Sequence, residues 1–171
     1  GIIKTRWNDK HVDNLVSGIK TALSECKVQE DNIFETSVPG AFELPIAAQF
    51  LALSGTVDAI ICTGVLIKGD TMHFEYISDA VSKGIMNIGL NTRTPVIFGV
   101  LTCLTEAQVV ARSTPGDGNH GYDWGKTAVE MALLRAEALG GTTVQAKVLK
   151  GMGFAEEKGK KDKKDTEKIF F

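Results

Sequence analysis

Apolar and polar residues fall into blocks whose period changes along the chain. Residues 1–4 read as the end of a strand. Val12, Leu15, Val16, Ile19, Leu23 and Cys26 then recur at helical spacing, which predicts an amphipathic helix over 10–27. Residues 32–38 (NIFETSV) predict a short strand, and Pro39-Gly40 a turn. A helix over 41–53 follows, where Pro45 fits only near the first turn. Residues 58–67 (DAIICTGVLI) are almost all apolar, the pattern of a parallel strand buried on both faces. Lys68-Gly69-Asp70 breaks that run, and 71–90 predicts a helix with Phe74, Ile77, Val81, Ile85 and Ile88 on one face. Residues 95–101 (PVIFGVL) predict another buried strand, 105–112 a short helix, 113–121 (STPGDGNHG) a glycine-rich loop and 122–139 a long helix.

Strands alternating with helices predict an α/β fold, a three-layer α/β/α sandwich around a four-stranded parallel sheet with right-handed crossovers. Ligands of such sheets bind beyond the carboxyl ends of the strands. That directs attention to residues 5–9, 38–43, 64–73 and 98–104.

A length of 171 residues suits one domain, expected over 1–150, with a charged tail over 151–171. Six lysines and five acidic residues crowd 156–168, which predicts a solvated, flexible segment. Nineteen basic against 21 acidic residues give a net charge of −2, which argues against nucleic acid or an anionic membrane as the partner. No stretch approaches the roughly 20 apolar residues of a membrane span. Cys26, Cys62 and Cys103 form no CxxC and the last two lie in apolar runs, so structural thiols in a reducing, cytoplasmic compartment are expected. The chain opens at Gly1 inside an expected strand, the pattern of a sequence whose natural start lies upstream.

Several residues could carry chemistry, each with a bland alternative. After the strand ending at Ile67, Gly69 permits a sharp turn, so the backbone N–H groups of Asp70 and Thr71 are expected at a helix N-terminus, where they would bind an anion. Equally, either side chain could simply cap the helix. His73, expected one turn into that helix, could transfer protons near neutral pH or be a surface residue. His11 reads as surface. Trp7, between Arg6 and Asn8, could stack on a planar ligand or pack on a neighbour. Glu43 could accept hydroxyl hydrogen bonds or complement a helix dipole. Arg112 has the planar fork that suits phosphate, and His120 lies in the glycine-rich loop; both are also ordinary surface residues. Trp124 reads as core or interface packing. There is no GxxxxGK[ST] loop, no GxGxxG after the first strand, no Cys/His cluster with zinc spacing and no GxSxG elbow.

Taken together, RWN after the first strand, VPGAFELP after the second, GVLIKGDTMHFEYI after the third, PVIFGVLT in the fourth and NHGYDWGKTAVEM in the last helix resemble the 6,7-dimethyl-8-ribityllumazine synthase family. GVLIKGDTMHFEYI and GYDWG resemble its fungal branch in particular. The resemblance spans most of 1–139 and implies a flavodoxin-like fold. It also implies an enzyme that condenses 5-amino-6-(D-ribitylamino)uracil with 3,4-dihydroxy-2-butanone 4-phosphate, releasing the lumazine, phosphate and water, with no metal and no organic cofactor.

The same resemblance implies roles. Trp7 stacks on the pyrimidine; Ala41, Phe42 and Glu43 hold the ribityl-aminouracil; Val65, Leu66 and Ile67 line the pyrimidine edge through backbone groups. Asp70 and Thr71 offer backbone N–H groups to the butanone phosphate, Arg112 clamps it, Phe98 covers the ring and His73 moves protons. Asn8, Gly40 and His120 are further candidates, His120 standing where many bacterial relatives have Lys. Phe98 and Arg112 come from the adjacent subunit in the family, so the site forms only in a homo-oligomer, expected to be a pentamer rather than a sixty-subunit capsid. A riboflavin synthase of the archaeal type, a non-catalytic lumazine or flavin carrier and a flavodoxin-like regulatory module are the competing readings.

Overall fold

The apolar run of residues 58–67 becomes an interior strand of the sheet. In the computed structural model, which describes residues 1–139, it forms β3 (Ile60–Ile67), flanked by β1 (Ile2–Thr5) and β4 (Val96–Cys103), with β2 (Glu35–Val38) outside β1. All three pairings are parallel. Every residue of β3 from Ile60 to Val65 is buried, which is why its sequence does not alternate.

The helices are α1 (Asp9–Glu25), α2 (Leu44–Ser54), α3 (His73–Thr92), α4 (Glu106–Ser113) and α5 (His120–Ala138). α2 and α3 pack together on one face of the sheet, and α1 and α4 together on the other. This is the expected three-layer α/β/α sandwich. Ile60 and Cys62 join Leu44, Ala48, Val81 and Ile85 in one continuous apolar cluster. On α1, Val12, Leu15, Val16, Ile19, Ala22 and Leu23 are buried, the helical stripe its sequence predicts. Each fully buried isoleucine or leucine contributes about 2–3 kcal/mol, whereas the exposed ion pairs contribute about 0–1 kcal/mol each. The layers are therefore held by the apolar stripes.

Close backbone approaches fix α5. A Cβ on Gly121 would lie 2.0 Å from the Leu15 carbonyl oxygen, so only glycine lets α5 seat on α1. Trp124 lies against β4 at Gly99, where a Cβ would come within 2.9 Å of the indole. Packing, the expected role of Trp124, is thus its observed one. These contacts lie within Gly1–Arg135, which forms one compact unit; a second unit, Ala136–Phe171, falls largely outside the described residues. The expected boundary at 150 and the charged tail over 151–171 lie there too.

Several boundaries differ from expectation. The second strand begins at Glu35, because Glu30–Asn32 make a 3₁₀ turn. Ala41–Glu43 is a 3₁₀ turn, and α2 proper starts at Leu44, which puts Pro45 at its N-terminus. α3 starts at His73 rather than 71, and α5 starts at His120 rather than 122. β4 runs on to Cys103. No helix among the described residues is long and apolar enough to cross a membrane.

Candidate active site at the carboxyl edge of the sheet

β1 ends at buried Thr5, and Arg6 N–H still donates to the Val38 carbonyl of β2. The chain then turns sharply through Asn8, which sits in the left-handed region (φ 58°, ψ 39°) that asparagine tolerates better than most residues. The Asn8 carbonyl accepts from His11 and Val12 N–H and starts α1, while its side-chain amide donates to the Val65 carbonyl at 3.0 Å. This turn leaves Trp7 73% exposed. Across from it, Gly40 N–H donates to Glu43 Oε2 at 2.9 Å. The Trp7 ring lies 3.6 Å from where a Gly40 Cβ would stand, so Trp7, Gly40 and Glu43 share one corner. Glu43 thus caps its own turn through one oxygen, and Oε1 has no partner among the described residues. Ala41 is buried beneath, and Phe42 is exposed beside it.

β3 outruns β1. The last β1–β3 pair is Lys4 with Thr63, whereas β3 continues beside β4 to the pair Ile67–Cys103. Lys68 N–H donates to the Cys103 carbonyl. Backbone groups alternate sides along a strand. Leu66 therefore shares the β4-facing side of Lys68, while Val65 and Ile67 turn theirs toward the side that β1 has left. Asn8 takes the Val65 carbonyl there.

The turn after β3 is exposed from Lys68 to His73. His73 N–H points back to Thr71 Oγ1 at 3.4 Å. Asp70 and Thr71 therefore precede the helix instead of opening it, and Met72 takes the N-cap position. His73, expected one turn inside, is the first residue of α3 and is exposed at the edge. Lys68 folds back to pair with Glu75 and lies over the Phe74 ring at 5.9 Å, which ties the two ends of the turn together.

One chain thus gathers Trp7, Asn8, Gly40, Ala41, Phe42, Glu43, Val65, Leu66, Ile67, Asp70, Thr71 and His73 along the carboxyl ends of β1, β2 and β3. It does not bring Phe98 to them. Phe98 pairs with Cys62, five residues before the end of β4 at Cys103, or about 17 Å back along the strand. Arg112 lies in the last turn of α4, and its Nη1 donates to the Gln108 carbonyl at 3.0 Å. His120 opens α5, edge-on to the Trp124 ring.

His11 departs from its surface expectation. Its side chain is only 15% exposed, and Nδ1 lies 2.9 Å from Oγ of the fully buried Ser113. No local signal marks this pair, whose members stand 102 positions apart. All three cysteines are buried and free, as expected of structural thiols. Burial pushes the Cys62 thiol up to about 12, and it raises Cys103 as well, with the Arg112 charge opposing. Neither is a thiolate nucleophile at neutral pH. A groove of about 650 Å³ beside β2 is lined by Lys4, Asp13, Lys20 and Glu35, whose charges are spent on one another.

The fold is a parallel α/β domain covered on both faces, with the candidate residues along the carboxyl edge of its sheet. Residues 1–136 match the family model described as 6,7-dimethyl-8-ribityllumazine synthase, and the chain belongs to that family. Among its relatives is the 6,7-dimethyl-8-ribityllumazine synthase of Pyricularia oryzae, 42% identical over 181 aligned positions that cover 84% of this chain and 90% of the relative. The protein of the same name from Schizosaccharomyces pombe is 48% identical over 134 positions, covering 77% of this chain and 84% of that one. Both are fungal, as the residues around His73 and Trp124 led us to expect.

Proposed function

We propose that the chain condenses 5-amino-6-(D-ribitylamino)uracil with 3,4-dihydroxy-2-butanone 4-phosphate to give 6,7-dimethyl-8-ribityllumazine, the penultimate step of riboflavin synthesis. The observation that carries this reading is the exposed turn 69–73 after β3, on the same carboxyl edge of the sheet as the corner of Trp7, Gly40 and Glu43, in a chain of this family.

The 5-amino group attacks the ketone carbon, and one water leaves as the imine forms. Loss of phosphate follows, then tautomerisation to a carbonyl. The ribitylamino nitrogen closes on that carbonyl with loss of a further water. Each step moves protons near neutral pH, which suits the accessible imidazole of His73. The departing phosphate needs donors already in place; the Asp70 and Thr71 N–H groups and the Arg112 guanidinium supply them. The Asp70 carboxylate must point away from that anion. Trp7 stacks on the pyrimidine, Oε1 of Glu43 accepts from ribityl hydroxyls, and Ala41 and Phe42 hold the same substrate. Val65 and Ile67 meet the pyrimidine edge through the strand side that β1 leaves open, and Leu66 lines it. Asn8 and Gly40 shape the corner, and His120 stands as a further phosphate contact. The rest of the acceleration comes from holding two reactants in register. No metal and no organic cofactor take part.

Phe98 lies apart from the cluster of its own chain, which supports its service to a neighbour's site, and the family resemblance gives Arg112 the same service. The working form is then a homopentamer with sites at subunit interfaces, acting in the cytoplasm. The test is to mix the purified oligomer with both substrates and follow lumazine absorbance and free phosphate together. Enzyme-dependent release of both is expected. A protein that instead converts lumazine alone to riboflavin, or binds it without turnover, would overturn the reading.

A further inference from the structure

We infer that His11 is a positioning residue for Arg112: through Ser113 it fixes the helix that carries the phosphate-binding guanidinium. The inference rests on the assignment of Arg112 to the phosphate made above.

α4 has only eight residues, too few to hold a helix in place without tertiary contacts. Its two buried residues are Val109 and Ser113, and Ser113 is the one next to Arg112. The Ser113 carbonyl accepts from Asn119 Nδ2 at 3.2 Å, and the same amide donates to the Asn14 carbonyl of α1 at 2.9 Å. The Ser113 hydroxyl meets His11 Nδ1 at 2.9 Å. The other ring nitrogen of His11, Nε2, lies 4.0 Å from Glu106 Oε1, in the first turn of α4. Residues 106 and 113 are seven apart and share a helix face. The bond to Ser113 is the firm contact, and it holds the last turn of α4 against α1. That placement determines where Arg112 points.

The backbone of His11 is tied to the carboxyl edge: its main-chain N–H donates to the Asn8 carbonyl, and the Asn8 side-chain amide donates to the Val65 carbonyl. Contacts thus run within one chain from Val65 through Asn8, His11 and Ser113 to the helix that carries Arg112. The Ser113 hydroxyl is fully buried, so losing its partner leaves a polar atom that water cannot reach. The last turn of α4 would shift in response.

The experiment compares steady-state kinetics of H11A, S113A, R112A and the double variant H11A/R112A with the parent oligomer. Assembly state and Tm are measured alongside. H11A and S113A are each expected to raise KM for the butanone phosphate about fivefold, the worth of one hydrogen bond. KM for the ribitylaminouracil and kcat should stay near parental values. His11→Asn, which keeps a donor and an acceptor near Nδ1, is expected to restore much of the loss. In the R112A background, H11A should add nothing. S113A removes only a hydroxyl and serves if H11A does not assemble. If R112A raises KM while H11A and S113A do not, the positioning role is overturned and the phosphate assignment stands. The role is also overturned if H11A adds its full effect on top of R112A. If R112A itself leaves KM unchanged, Arg112 is not the clamp, and both assignments fall together.

Discussion

In the proposed reaction Arg112 offers a forked cation to a doubly charged leaving group, and a charged hydrogen bond of this kind contributes more than a neutral one. Arg112→Ala is expected to raise KM for the butanone phosphate by roughly 10- to 100-fold, with KM for the other substrate little changed; initial-rate measurements varying one substrate at a time decide this. His73→Ala should slow kcat by roughly a hundredfold without abolishing turnover, since positioning of the two reactants survives it. Complete loss in an intact oligomer would assign a larger share to proton transfer. The placement of Trp7, Glu43 and His73 at the carboxyl edge was legible in the sequence because each follows a strand end within a few residues, where period and turn signals converge. His11 was not, because its meaning comes from a serine on another helix. An isolated histidine at a helix start carries no mark of such a partner.

Among the elements, the ion-pair cluster of Lys4, Asp13, Lys20 and Glu35 ties β1, α1 and β2 together. Hydrogen bonding from Lys20 holds the Glu35 carboxyl below its ordinary value, with Lys4 assisting against partial burial. A depressed carboxyl contributes stability above its unfolded pKa and loses it as pH falls through the folded one. Glu35→Gln should therefore lower stability at neutral pH by about 1 kcal/mol, and the gap to the parent should close in acid; Tm measured across pH tests it. The contact of α5 with α1 admits no side chain at Gly121. Gly121→Ala is expected to cost about 3 kcal/mol or more, read from denaturant unfolding at fixed protein concentration. The order and type of the main elements followed from hydrophobic period alone. The start of α3 did not, because the Thr71 hydroxyl receives the His73 N–H and holds the chain in a turn for two more residues.

For the whole molecule, the outer face of α2 matters most. Ile46, Phe50 and Leu53 recur at helical spacing and are exposed, with Leu90 and Met86 of α3 exposed as well. In the proposed pentamer this face is covered by a neighbour. Phe50→Asp should leave the chain folded, since Phe50 packs little within it, yet dissociate the assembly and remove activity with it. Light scattering after size exclusion, beside the lumazine assay, checks this; a fully active pentamer would place the interface elsewhere. Assembly was not legible from hydrophobic period, which records that a residue is apolar but not which molecule covers it.

The overrun of β3 past β1 gives the sheet a step, and the pyrimidine in the proposed complex lies against its riser. That riser is peptide, not side chain. Mutation can exchange Val65 or Ile67 for another β-forming residue and leave the row of donors and acceptors as it was; only proline would delete a donor. Recognition written in the main chain is shielded from most genetic drift. In the proposed complex, substitution at Val65 or Ile67 thus leaves the contact with the heterocycle in place, and discrimination between substrates falls to the side chains around it.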